Sequence, residues 1–307
     1  MSGWVEGRVV VVTGAGSGLG RSHALALAEA GATVVVNDVV PAPDGTSRAE
    51  VVAAEIRDRG GAATAFTTSV NSWAGAEDLV EHAVTEHGRV DAVVANAGVL
   101  LDAMVGNMSE EIWREVVDVN LTGTFTVARA AWPHMVRQGF GRLVLTTSAS
   151  GMFGNRGHAN YGASKAGVFG LARMLAVEGA EHGIAANAVA PLALTPMSGD
   201  TSGSRTSAAS QLGDLFAQMA PGDVSPLVVW LCSPECETTG QAFSAGGGRI
   251  ARIFVGESRG WVGGRAPDVE RIRHNWAAVC ATEGFHEPVG MVDELAIYAR
   301  ELRAGKS

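Results

Sequence analysis

The chain has 307 residues, 47% hydrophobic and 18% charged; that is enough to bury a sizeable core and too few to make three domains the expectation. Its formal net charge of -9 sets any sequence-independent phosphate-binding surface against the overall field, which argues against nucleic acid as a partner. Cys232, Cys236 and Cys280 show no structural-zinc spacing and read as reduced thiols with no metal role. The start MSGWVEGR has no basic region followed by an apolar stretch, and the apolar run Val9 to Val12 is far too short to span a bilayer, so a cytoplasmic protein with no membrane partner is expected.

Arg8 to Val12 reads as a short buried strand, a β-branched run ended by glycine. The same signature recurs at Thr33 to Asn37, Ala63 to Thr67, Asp91 to Ala95, Arg142 to Thr146 and Ile184 to Val189. Helical periodicity separates these runs; the first such segment carries Leu19, His23, Leu25, Leu27 and Ala28 and closes at Gly31, a C-cap signal. Strands alternating with helices predict an α/β fold, a doubly wound Rossmann-type parallel sheet with helices on both faces. Ser198 to Ser210 is rich in Ser, Thr and Gly and reads as a loop, either a lid or a solvated linker. From Gly256 the alternation stops, and Pro267 to Ala278 and Val289 to Arg303 read as two helices. The expected organisation is a dehydrogenase-type domain over 1–257, with a loop near 195–220, and a helical extension over 258–307.

After the first strand comes TGAGSGLG, Thr13 to Gly20, opening a helix. Gly14, Gly18 and Gly20 let the backbone turn tightly and approach a pyrophosphate, and the helix start favours the anion. Asp38 ends the next strand, placed to accept hydrogen bonds from ribose hydroxyls, and its carboxylate would repel a 2′-phosphate. NAD is expected over NADP, although Asp38 alone also reads as a turn residue and Arg48 could receive a phosphate.

Tyr161 and Lys165 lie four apart in YGASK, on one face of a predicted helix. A free phenol has a pKa of about 10, and a fixed cation at about 4 Å with an effective dielectric near 20 contributes about 4 kcal/mol toward lowering it. Lys165 is therefore expected to make Tyr161 a usable proton acceptor and donor, nearly unaided. On its own the pair reads more readily as an ordinary amphipathic helix. Ser148, at the end of LVLTTS, Asn120 in VNLTGTF and Asn96 in ANAG gather at the same predicted sheet edge; each alone could be a cap or turn residue. Ser148 lies in TTSAS and not in the nucleophile elbow of a hydrolase.

Together these motifs resemble the short-chain dehydrogenase/reductase family over about Gly7 to Val255. The resemblance implies a nicotinamide-dependent oxidoreductase in which Tyr161 is the general acid/base, Ser148 positions the substrate oxygen, Lys165 also binds the nicotinamide ribose and Asn120 holds a proton-relay water. It implies cofactor contacts at Gly14, Ser17, Gly18, Leu19, Gly20, Asp38, Ser69, Val70, Asn96, Ala97, Gly98, Tyr161, Lys165, Pro191, Leu194 and Thr195. Two positions depart from the pattern: Leu192 follows Pro191 where glycine is usual, and Ser69 replaces a frequent aspartate.

SASGMFGNRGHANYGASK, SPLVVWLCSPECETTGQAF and GGGRIARIFVGESRGWV resemble more narrowly the (3R)-hydroxyacyl-CoA dehydrogenase domains of peroxisomal multifunctional enzymes of type 2, also called 17β-hydroxysteroid dehydrogenases type 4. That likeness implies oxidation of a secondary alcohol, a 3-hydroxyacyl-CoA or a hydroxysteroid. It also implies a free-standing relative without hydratase or sterol-carrier segments, and a homo-oligomer, dimer or tetramer. Leu192, Leu194, Met197 and Met152 would supply an apolar pocket, and Arg156, Arg205 and Arg249 read as CoA phosphate contacts or as surface arginines. A reductase of another ketone and a non-catalytic dinucleotide sensor remain the alternatives.

Overall fold

The computed structural model describes residues 3–193, 219–264 and 267–304, which fall into two compact units, Met1–Arg252 and Ile253–Ser307. The strands are β1 (Val9–Thr13), β2 (Thr33–Asn37), β3 (Ala62–Phe66), β4 (Ala92–Ala95), β5 (Gly141–Thr146), β6 (Ile184–Pro191), β7 (Ala242–Gly246) and β8 (Arg249–Ile253). They form one sheet in the order β3-β2-β1-β4-β5-β6-β7-β8. Every pairing from β3 through β7 is parallel, so the carboxyl ends of these strands share one edge. The strand order reverses between β1 and β4, and the crevice at such a reversal is where open α/β sheets bind ligands.

Continuous Val and Ala runs make the central strands because both faces are covered: β1 and β4 are buried at every residue. The helices of the first unit are α1 (Gly18–Glu29), α2 (Arg48–Asp58), α3 (Trp73–His87), α4 (Glu110–Val117), α5 (Gly123–Gln138), α6 (Ala149–Phe153), α7 (Ala159–Gly179) and α8 (Ser225–Cys232). At the amino edge, Asp91 is fully buried and its carboxylate accepts hydrogen bonds from Arg8 at 2.9 Å, Arg89 at 2.7 and 2.6 Å and the amide of Val9 at 2.9 Å. Opposite charge and an amide donor together offset the cost of burying it.

Five of the six expected strands differ from the observed ones at their ends by one or two residues, and β2 coincides. β7 and β8 lack the signal used for the rest: β7 mixes small and polar residues and β8 is largely exposed, so neither shows a buried apolar run. Gly31 has φ +98° but stands one residue beyond the α1 C-cap, Ala30. In the second unit, the helix expected over Pro267 to Ala278 is two short helices, α9 (Val269–His274) and α10 (Trp276–Val279). Asn275 breaks it, its side-chain amide donating to the carbonyl of Arg271 at 2.8 Å. α11 runs Met291–Ala304, two residues later in starting than expected. The loop at Ser198 to Ser210 lies outside the described residues. Among those that are described, no helix is long and apolar enough to cross a membrane.

His23 on α1 is buried, and its Nδ1 lies 2.9 Å from the hydroxyl of Ser225 on α8. Burial lowers its pKa from 6.5 to about 4, so below pH 6.5 the unfolded chain binds a proton that the native chain refuses. Stability is then lost as pH falls from 6.5 toward 4, by about 3 kcal/mol at the lower end. Denaturant midpoints of wild type and His23→Gln, compared across this window, are expected to show the shallower acid dependence in the variant; parallel curves would contradict it.

Candidate active site

The turn after β1 is too tightly packed for side chains. A Cβ on Gly20 would lie 2.2 Å from the carbonyl oxygen of Gly14 and 2.6 Å from the Asn96 amide nitrogen, and one on Gly14, at φ +62°, would lie 2.8 Å from the Cα of Ala97. The Asn96 side chain donates to the carbonyls of Thr13 and Gly14, while the Thr13 hydroxyl accepts from the amides of Asn96 and Ala97. The glycine loop and ANAG are thereby fastened together across β1 and β4. Ser17 is the N-cap of α1 but makes no side-chain cap bond, and the first turn has no acid, which leaves the helix start with the polarity and free amides that suit a pyrophosphate.

Asp38 follows β2. One carboxylate oxygen accepts the amide of Gly16 and the other the amide of Val40, both at 2.8 Å. This cradle, closed to any Cβ and bordered by a carboxylate, fits a nicotinamide dinucleotide. Arg48 also begins here, since a Cβ on Gly16 would lie 2.6 Å from the Arg48 Cβ. Ser69 is exposed and donates to Asn71 at 2.7 Å. Val70 is buried and its carbonyl accepts the hydroxyl of Thr126. Pro191 ends β6 on the same edge. Leu192, in place of the expected glycine, donates its amide to Ala245 at 2.8 Å, and its carbonyl lies 2.0 Å from where a Cβ of Gly246 would be; Gly246 makes room for it. Leu194, Thr195, Met197 and Arg205 lie outside the described residues. Arg156 and Arg249 are exposed.

Ser148 caps α6, accepting the amide of Ser150 at 3.2 Å, and its side chain is hydrogen-bonded with that of Tyr161. Tyr161 stands in the first turn of α7, held by Asn160: the buried Asn160 side chain accepts the Tyr161 amide at 2.8 Å and donates to the carbonyls of Leu101 and Ile112. Lys165, one turn on, is 2% exposed. Its Nζ donates to the carbonyl of Thr146 at 2.8 Å and lies 5.7 Å from the centre of the Tyr161 ring, while the Thr147 hydroxyl donates to the carbonyl of Lys165 at 2.6 Å. Burial pulls the Lys165 pKa down from 10.5 to about 8.

The lysine therefore does less for the phenol than the sequence argument expects. Burial pushes the Tyr161 pKa up, the Ser148 hydrogen bond pulls it down and the Asp102 charge pushes it up again. Lys165 is not among the groups that move the Tyr161 pKa, and one of its ammonium protons is committed to the Thr146 carbonyl.

Asn120 lies in a π-helical turn, Asp118–Thr122, between α4 and α5. Its amide donates to the carbonyl of Val99 at 2.9 Å and its oxygen accepts the Val99 amide at 2.8 Å. The side chain thus holds the segment after ANAG, and the backbone carbonyl of Asn120 accepts the Thr124 hydroxyl at 2.8 Å. A Cβ on Gly98 would lie 2.9 Å from the Asn120 oxygen and 3.7 Å from Lys165 Nζ, so the cofactor loop and the lysine meet at a glycine. Asn160, Thr147 and the π turn are absent from the sequence reading; the adjacency of Asn160 to Tyr161 is the signal that could have pointed to the first.

The pattern of the short chain dehydrogenase family matches residues 8–205. A short-chain type dehydrogenase/reductase of Mycobacterium tuberculosis is 43% identical over 91% of this chain and 96% of its own length. A second protein of that organism, the hydroxyacyl-CoA dehydrogenase ChsB1, is 39% identical over 81% of this chain and 80% of its own. The solved structure of full-length peroxisomal multifunctional enzyme type 2 from Drosophila melanogaster superposes with a TM-score of 0.81 at 32% identity, covering 97% of this chain and 50% of that longer one. The chain belongs to the short-chain dehydrogenase/reductase family of oxidoreductases.

Proposed function

We propose that the protein oxidises the secondary alcohol of a 3-hydroxyacyl-CoA, with NAD as the hydride acceptor. The observation that carries this reading is the junction at Gly98, where a cradle fitted to a dinucleotide meets the buried Lys165 and, through it, the Ser148 and Tyr161 pair. The acyl-CoA class is supported by what the second mycobacterial relative is named for. Hydroxysteroids are the other substrate expected, and belong in the same test.

In this reading Ser148 holds the substrate oxygen and Tyr161 accepts its proton, while the Lys165 ammonium favours the phenolate from below and binds the nicotinamide ribose. When bound, the dinucleotide accepts hydride from the alcohol carbon, and its oxidised ring supplies the positive charge that Lys165 alone does not. Gly14, Ser17, Gly18, Leu19 and Gly20 hold the pyrophosphate, Asp38 the adenosine ribose, and Ser69, Val70, Asn96, Ala97, Gly98 and Pro191 line the remainder. NAD is favoured because a 2′-phosphate would approach the Asp38 carboxylate; Arg48 beside Gly16 is the observation that favours NADP.

The dehydrogenase domain is taken as 1–257, with 258–307 as an extension. Assembly as a dimer or tetramer is supported by apolar side chains exposed on α5 and α7, Phe125, Met174 and Val177. Cytoplasmic residence belongs with this proposal and is tested by fractionation, since the Drosophila relative is named as peroxisomal.

Purified protein with NAD or NADP, and 3-hydroxyacyl-CoA esters beside 17β-hydroxysteroids, is expected to form NADH on the esters. Activity on steroids alone would move the substrate assignment, and reduced-dinucleotide binding without turnover would favour the sensor reading. Tyr161→Phe is expected to lower kcat by about 10²-fold or more while NADH still binds; retained turnover would remove the proton role. Asp38→Ala is expected to narrow the NAD over NADP ratio of kcat/KM by about tenfold or more, about 1.4 kcal/mol; an unchanged ratio would contradict the ribose role.

A further inference from the structure

The segment after ANAG and the entry to α7 bring a second titratable pair to Tyr161. Backbone ties the two: Ala103 and His158 form a parallel bridge, and the amide of Ala103 donates to Gly157 at 3.0 Å. His158 Nε2 lies 3.2 Å from an Asp102 carboxylate oxygen, and both side chains are largely buried, 11% and 28% exposed. The Asn155 amide nitrogen lies 3.0 Å from His158 Nδ1. With that amide donating, Nδ1 accepts, so the ring proton resides on Nε2 and points at Asp102. The His158 ring meets the Tyr161 ring edge to face, centres 6.0 Å apart at 82°.

We propose that Asp102 and His158 are positioning residues for Tyr161: the histidine seats the tyrosine ring and holds one carboxylate charge beside it, and that charge sets the pH range over which the phenol exchanges its proton. This rests on the reading of Tyr161 as the proton acceptor. Asp102 opposes the phenolate, in the same sense as burial and against the Ser148 hydrogen bond. Other charged groups stand on the elements around Tyr161. α7 itself carries Lys165, Arg173 and Glu178; α4 carries Glu110, Glu111, Arg114 and Glu115; the π turn carries Asp118 and β5 carries Arg142, while α6 and β6 carry none. Arg114 is paired with Glu110 at 2.7 Å, and Arg142 donates to the carbonyls of Ser233, Pro234, Gly141 and Gly183. Among the described residues, Asp102 is the charged group that raises the phenol's pKa.

A phenol that works only as phenolate gives an oxidation rate that rises with pH, and a neighbouring anion moves that rise to higher pH. The test is kcat/KM for 3-hydroxybutyryl-CoA with NAD across the neutral to alkaline range. Asp102→Asn, isosteric and partly exposed, is expected to move the rising limb to lower pH by about one unit. His158→Ala is expected to lower kcat with little change in KM, and His158→Gln, which keeps a donor to Asp102, to restore most of it. An NMR titration of the Tyr161 ring in the Asp102→Asn protein reads the same shift without turnover. A limb and a phenol titration both unmoved by Asp102→Asn, with Tyr161→Phe inactive, would overturn this pair alone. Full turnover in Tyr161→Phe would overturn the proton role and the pair with it.

Discussion

The Lys165 ammonium, 2% exposed and donating to the carbonyl of Thr146 at 2.8 Å, is the charge around which the site is organised. Taking a lysine out of water is costly unless donors and dipoles compensate, and here the cost appears as a pKa drawn down to about 8. Every neighbour then has to be polar, small or fixed. Thr147 anchors the lysine's own backbone, and Gly98 makes room for the Asn120 oxygen, which would stand 2.9 Å from a Cβ there while Asn120 holds Val99. The lysine's burial, not its distance from the phenol alone, decides how it can act.

The second constraint is close approach at the sheet's reversal. Parallel register brings Thr13, Ala95, Thr146 and Pro191 to one edge, and the Asn96 amide then fastens the turn after β1 to the turn after β4. Glycine is required where backbone meets backbone at about 2 to 3 Å from a hypothetical Cβ. That packing shapes a surface of amides suited to an anion, and it makes the glycine cradle and the Tyr161–Lys165 pair two sides of one junction.

Much of this was legible in the sequence because buried parallel strands write themselves as unbroken β-branched runs, and because glycine, aspartate, tyrosine and lysine stood at telling positions. The misses have physical causes. β8 is an exposed edge strand, so no apolar run marks it; the π turn at Asn120 leaves the helical periodicity on either side almost unchanged. Asn160 is buried and polar, and its role follows from the carbonyls of Leu101 and Ile112, far away in sequence. Spacing could place Tyr161 and Lys165 on one helical face but could not show that burial opposes the phenolate.

The most direct test of the account is the ionisation of Tyr161 itself. The chain has two tyrosines, so a Tyr298→Phe protein carrying ring-labelled tyrosine reports Tyr161 alone by NMR. The account predicts a phenol that stays protonated to above pH about 10 in the protein by itself and ionises at clearly lower pH once NAD is added at saturation. A Tyr161 signal that titrates at the same pH with and without NAD, in protein that binds NAD, would contradict it.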